Sequence, residues 1–413
     1  MKRTAQLILL FSFGLLLLSN RTYAENWSRF RGPNGSGVSE SKQIPITWSD
    51  DDYNWRVELP GVGHGSPVVW DEKLFVNCAS EDGTTRIVQC RSTKSGELLW
   101  GKEFESSKHK THKFNSYATS TPCVDEQRVY ISWGTPEELA IIALTHDGEL
   151  AWEARNLGKV IGGHGFGTSP IIHNESVIIA NDTEKESSLI ALNRKTGEKV
   201  WEAERPGGRL NFATPCVYPR DDEADLLIFS AWPIGVTAIN TETGEQVWEA
   251  ETYDVNKGQR AVASPLVDNG LIFANCAFVN NPKHLVVLKP TEGSAEEVFR
   301  IDNSSVPHIP SLLVDKGLLY AWADKGICTC YEVESGKKLW QQRIGGNYFS
   351  SPVCANGVIY CIDSDGNCVV IKAGRKYEEL SRIDLGEACR ATPAIANDQM
   401  FIRTFSHLMA IGD

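Results

Sequence analysis

The sequence predicts an all-β fold, an eight-bladed β-propeller of four-stranded blades, its ring closed by an N-terminal strand that joins the C-terminal blade. Three observations carry this. Prolines 67, 122, 170, 215, 265, 310, 352 and 393, most preceded by Ser or Thr, recur at spacings of 55, 48, 45, 50, 45, 42 and 41 residues, the length of one four-stranded unit. The stretch "ALNRKTGEKVW" at 191–201 has a near copy, "AINTETGEQVW", at 238–248. The last unit is split: three strands follow Pro393 and end in "HLMAI", while "YNWRVELPG", with Trp55, is a fourth strand with no predecessors. Joining the two fragments makes one blade and protects the sheet edges of a ring. A seven-bladed ring is the main alternative.

The elements follow in order. Residues 1–24, "MKRTAQLILLFSFGLLLLSNRTYA", combine a basic start, an apolar run from Leu7 to Leu18 and a small residue at Ala24, the pattern of a cleaved secretory signal. A periplasmic or secreted location is therefore expected. Residues 25–45 form a glycine-rich extension, and 46–413 a single propeller. "RGPNGSG" at 31–37 lacks the strand, helix and Lys-Ser/Thr of a phosphate loop and reads as a plain loop.

Each unit opens with a short apolar strand, an Asn/Asp/Gly turn and a second strand, as in "LVDNGLIF" and "VCANGVIY". A third strand leads to the Thr-Gly turn, and a fourth is anchored on Trp100, Trp152, Trp201, Trp248, Phe299, Trp340 or Leu380. Gly197 and Gly244 supply the positive φ of a tight turn, and each Trp is expected to pack between neighbouring blades.

The spacing Ala-x-Asn/Asp-x-x-Thr-Gly-x-x-x-Trp resembles the tryptophan-docking motif of the pyrroloquinoline quinone (PQQ) repeat. It is partial in "CRSTKSGELLW", "ALTHDGELAW" and "CYEVESGKKLW" and degraded in "VLKPTEGSAEEVF". The chain is also similar to the outer-membrane protein assembly factor B family, eight-bladed periplasmic scaffolds built from this repeat. "WSRFRGPNGSGVS" and "LPGVGHGSPVVW" are similar to secreted bacterial PQQ-like repeat proteins. The resemblance implies a scaffold or, in the dehydrogenase branch, a quinone enzyme. That branch carries an adjacent Cys-Cys pair and a calcium-binding carboxylate set. Here Cys328 and Cys330 come nearest to such a pair, and strand alternation puts them on one face. No cofactor is assigned, and PQQ stays as the alternative.

Loss of Lys2, Arg3 and Arg21 takes the net charge from −12 to −15, which argues against nucleic acid and against a basic membrane-facing surface. The 11 cysteines sit mostly in apolar runs and read as buried small hydrophobes, with Cys361/Cys368 and Cys78/Cys90 the candidate bridges. "DSDG" at 363–366 reads as a hairpin turn rather than half a calcium loop. His109 and His112 lie in "SSKHKTHK", expected to be a solvated loop.

The candidate site comes from topology. Eight lead-in segments, the six residues before each aligned proline, converge on one mouth of the channel. They contain a single acid, Glu387, where overall composition predicts about six. They also hold Arg209, Arg260 and Arg390 with His64, His164 and His308, and aromatic surface from Tyr117, Phe166, Phe212 and Phe349. Burial of first strands explains missing acids but not three arginines. The expected function is a non-catalytic, monomeric binding or scaffold propeller whose mouth takes a protein partner or a small anionic or aromatic ligand. The alternative is a PQQ- or metal-dependent oxidoreductase.

Overall fold

The computed structural model describes residues 25–259, 262–278 and 282–412. The signal segment and Arg260 lie outside them. Eight sheets follow one another around a ring, each with four antiparallel strands and one, in blade 7, with a fifth strand added in parallel. Blade 3 is typical, with strands Ile171–His173, Ser176–Asn181, Ser187–Asn193 and Lys199–Arg205. Blades 1, 2 and 4 to 7 begin at Val68, Cys123, Cys216, Leu266, Leu313 and Val353. Blade 8 consists of Ala394–Ala396, Gln399–Arg403, His407–Gly412 and, from the other end of the described chain, Trp55–Glu58. Trp55 lies opposite Ala410 and Glu58 opposite His407 in an antiparallel register.

The hydroxyl residue before seven of the eight aligned prolines does specific work, and Ser311 does the same in blade 6. Ser66, Thr121, Ser169, Thr214, Ser264, Ser311, Ser351 and Thr392 each donate a backbone N–H to the hydroxyl of the next, and Thr392 donates back to Ser66. The eight distances lie between 2.9 and 3.4 Å. A short hydroxyl side chain at this position supplies the acceptor that an interrupted strand edge would otherwise lack. The cycle also settles the blade 6 register: Ser311-Leu312 takes the Ser-Pro place, two residues after Pro310, and its first strand begins at Leu313. Proline is dispensable there because the bond uses the residue before it.

The tryptophans lock blade to blade. Trp55, Trp100, Trp152, Trp201 and Trp340 donate Nε1–H to the carbonyls of Thr93, His146, Arg194, Thr241 and Gly374 at 2.7–3.0 Å. The turn glycine of the following blade lies against the indole: a Cβ on Gly197 (φ 77°) would stand 2.6 Å from Trp152. Blade 5 has lost the motif, and the consequence is visible. Gly293 faces open space, and the Trp248 indole N–H is buried without a partner. Apolar residues from facing sheets fill the inter-blade layers, as where Ile171, Ile178 and Leu189 meet Leu227 and Phe229.

All eleven cysteines are buried free thiols. Neither candidate pair is in register: Cys368 lies opposite Ile362, Cys361 opposite Val369, Cys78 opposite Ile87 and Cys90 opposite Phe75. In "DSDG", Asp363 Oδ1 accepts the backbone N–H groups of Asp365 and Asn367, so the carboxylate caps its own turn.

"RGPNGSG" is a loop, as expected, but one packed against the inside of the ring. Residues 27–42 run along the inner first strands of blades 1, 2, 4 and 7 and reach the first turn of blade 8. Trp27 exchanges two backbone hydrogen bonds with Val69, Ser28 accepts from Val124, and the Asn34 amide pairs with both backbone groups of Val217. Val38–Ser39 then pairs in parallel with Val353–Ala355, and Asp398 accepts from Lys42. First strands leave an edge unpaired toward the axis, and this segment satisfies much of it. Arg31, Gly32, Asn34, Gly35 and Gly37 all have positive φ. These left-handed residues coil the segment tightly enough to send Arg29 and Arg31 inward.

Candidate functional site

The lead-in segments lie at one end of the hydroxyl cycle because seven of them end in a member of it and the blade 6 segment stops two residues before Ser311. The structure gathers three of the predicted residues directly. Arg390 Nη1 reaches His64 Nε2 at 3.2 Å, and the Arg390 guanidinium stands 5.0 Å from the Phe349 ring centre. Two further rings complete the surround, Phe114 and Phe405, each at 5.2 Å. A guanidinium faced by three rings is a cation–π cage. Its Nε is buried without a hydrogen-bond partner.

His64 is neutral for a physical reason. Burial, then the charges of Arg390 and Arg403, push its pKa down to about 3. Its Nδ1 lies 3.0 Å from the Gly63 carbonyl, so Nδ1 carries the proton and Nε2 accepts from Arg390. Arg403 is buried beside it, donating to the Gly65 and Asn77 carbonyls at 2.9 and 2.7 Å. Burial also lowers the Arg390 pKa from its ordinary value.

The lysine-rich loop is the main correction at this end. Residues 106–116 keep Lys108, Lys110 and Lys113 in solvent but lie over the mouth: Phe114 packs on Phe349 at 5.1 Å, and His112 stacks on His164 at 5.1 Å. His112 N–H and the Asn115 amide both donate to the His164 carbonyl. Tyr117 anchors the loop's far end, its hydroxyl donating to the His109 carbonyl at 2.7 Å. A sequence signal was present, because 55 residues separate Pro67 from Pro122, the longest of the seven spacings.

The remaining predicted residues are placed apart from this cage. Arg209 stands over Phe278 at 5.6 Å, and Phe278 meets buried His308 edge-on at 6.0 Å. Phe166 lies against Gly134 and Phe212 against Gly167, both in the wall. Glu387 is turned into its own blade, accepting from Ser406 and facing His407 Nδ1 at 3.2 Å. Phe114, Phe405 and Arg403 were not singled out by sequence reasoning, and His112 was read only as part of a solvated loop. Three of them stand outside the six-residue windows in loops, and Arg403 ends a second strand.

The sequence model of the outer membrane protein assembly factor BamB family matches residues 46–160, 84–312 and 300–376. The chain belongs to this family. Among curated relatives, BamB of Yersinia pestis is 21% identical over 317 residues, which cover 76% of this chain and 66% of that protein. Among solved structures, BamB from Moraxella catarrhalis superposes with a TM-score of 0.62 at 15% identity, covering 87% of this chain and 98% of that one. Quinohemoprotein alcohol dehydrogenase from Comamonas testosteroni superposes with a TM-score of 0.67 at 13% identity, covering 95% and 81%. At such identities the likeness is one of fold.

The dehydrogenase likeness raises the question of whether a quinone with calcium fits. The residues present do not suit it. Beneath the mouth the buried guanidiniums of Arg29 and Arg31 reach carbonyls at the start of the inner first strands. Among the described residues no three His, Cys, Asp or Glu side chains converge to hold a cation. Cys328 and Cys330, two apart on one strand, are both buried in the layer between blades 6 and 7. A divalent ion there would meet like charge instead of ligands.

Proposed function

We propose that the protein is an exported assembly scaffold that binds a protein partner through the mouth of the propeller. The observation that carries this reading is the cage around Arg390, a guanidinium with three aromatic neighbours and an unpaired Nε at a mouth whose lead-in segments hold one acid. Such a surface suits an extended segment offering a carboxylate beside an aromatic or apolar side chain. Membership of the BamB family supports a scaffold role, since its relatives are named for outer membrane protein assembly. The signal-like segment 1–24 supports export to the periplasm.

The test is calorimetry of the mature chain with extended peptides that pair Asp or Glu with Phe or Tyr. Saturable binding lost in Arg390→Ala supports the proposal. Binding unaffected by Arg390→Ala removes the mouth, and PQQ-dependent turnover with a dye acceptor would replace the scaffold reading altogether.

A further inference from the structure

We propose that Arg29 and Arg31 hold a small inorganic anion on the propeller axis, beneath the mouth and independently of any partner bound there. Both side chains come from the N-terminal segment and are buried, Arg31 completely. Arg29 Nη2 donates to the Pro215 carbonyl at 2.5 Å, and Arg31 Nη2 to the Leu312 carbonyl at 2.7 Å and the Pro352 carbonyl at 3.4 Å. Those carbonyls belong to the residues directly after Thr214, Ser311 and Ser351 of the hydroxyl cycle. The two guanidiniums are therefore held against blades 4, 6 and 7, one residue beyond that cycle.

What they lack points to the ligand. Arg29 Nε, Arg31 Nε and Arg31 Nη1 are buried without hydrogen-bond partners, and neither arginine is in an ion pair among the described residues. Thiols of Cys123, Cys216 and Cys361 are the neighbours whose ionisation would favour them, but burial raises each thiol pKa, Cys216 to about 12, so these groups stay neutral. Burial lowers Arg29 to about 10 and Arg31 to about 9, with Arg29 adding to the shift in Arg31. At neutral pH both remain cations.

Two uncompensated buried cations in one channel are costly, several kcal/mol each in general terms. Carbonyl dipoles offset part of that cost, and a bound anion would offset the rest while accepting from the three unpartnered nitrogens. Each hydroxyl of the cycle accepts one N–H and keeps its own proton to donate. Complete burial of the donors restricts the ligand to a halide or a compact oxyanion.

Bromide and selenate are the probes, because both scatter anomalously. Crystals of the mature chain soaked in bromide are expected to show an anomalous peak within hydrogen-bond reach of both guanidiniums, and a selenate soak distinguishes an oxyanion site from a halide site. In solution, bromide is expected to raise Tm by a few degrees over gluconate at equal ionic strength, as for any ligand bound to the folded state alone. Arg31→Met is expected to abolish that difference. Should Arg31→Met not fold, the soak of the unaltered chain decides. Absence of anomalous density at the guanidiniums with either probe, leaving water alone against them, overturns the assignment.

Discussion

The backbone N–H of Thr392 donates to Ser66 Oγ at 3.1 Å, joining two residues 326 positions apart. Seven bonds of the same kind run from blade 1 to blade 8, and this one returns the series to its start. Ser66 is 2% exposed, so water cannot replace it as an acceptor. Ser66→Ala should therefore cost about 1–3 kcal/mol, the usual penalty for orphaning a buried donor. Ser66→Thr, which keeps the hydroxyl, should be close to neutral. Guanidinium denaturation followed by tryptophan fluorescence measures both, and equal midpoints for Ser66→Ala and the parent would show that the cycle does not hold the ring.

A second prediction compares two glycines in equivalent turns. Gly197 (φ 77°) lies against Trp152, and Gly293 (φ 69°) faces open space. Alanine at either position pays for a left-handed backbone, about 1–2 kcal/mol. Only at 197 must the indole also move, adding about 1–3 kcal/mol of overpacking. Gly197→Ala should consequently be clearly less stable than Gly293→Ala. Equal losses would mean that the docking contact contributes nothing beyond the turn itself.

The third concerns pH. His64 has a folded pKa near 3 against an ordinary 6.5, because burial and then Arg390 and Arg403 oppose a positive ring. The unfolded chain therefore binds a proton that the folded chain refuses, and stability is lost as pH falls below 6.5 toward 3. At pH 5 this group alone removes about 2 kcal/mol relative to neutrality. His64→Gln should flatten the difference in unfolding free energy between pH 7 and pH 5 by about that amount, whereas an unchanged slope would remove His64 from the account.

The ring was legible because its signals are local and repeated. A hydroxyl residue, a proline, an Asn-Gly turn and a Thr-Gly-x-x-x-Trp spacing each impose one backbone event, and eight copies reinforce one register. Pro310 misled by two residues because proline only accompanies the hydroxyl that makes the bond, and Ser311 carries that bond without a following proline. The mouth was half legible. Topology brings His64 to Phe349 and Arg390, the last of these 326 residues away in the chain, and composition flagged all three. Phe114 and Arg31 were missed because nothing in "HKFN" or "FRGPNG" encodes which distant surface they meet. A loop rich in lysine or glycine looks solvated until its one aromatic or arginine finds a partner elsewhere in the ring.

That partner relation gives the last prediction. Loop 106–116 carries Phe114, which packs on Phe349 and faces the Arg390 guanidinium, although the residue is 44% exposed. An aromatic pair and a cation–π contact of this kind together contribute about 1–2 kcal/mol. Phe114→Ala should raise the population of the lifted loop by about tenfold, and cleavage of a transiently open segment tracks that population when closing is fast. Lys108, Lys110 and Lys113 are exposed within the loop and serve as trypsin sites. Limited trypsin digestion should thus nick Phe114→Ala between residues 108 and 114 about ten times faster than the parent, with Arg390→Ala moving the same way. Phe278→Ala, on the Arg209 side of the mouth, should leave that rate unchanged. If all three variants are cut at the parental rate, the loop is held by the His112 to His164 contacts instead, and Phe114 is a passenger on it.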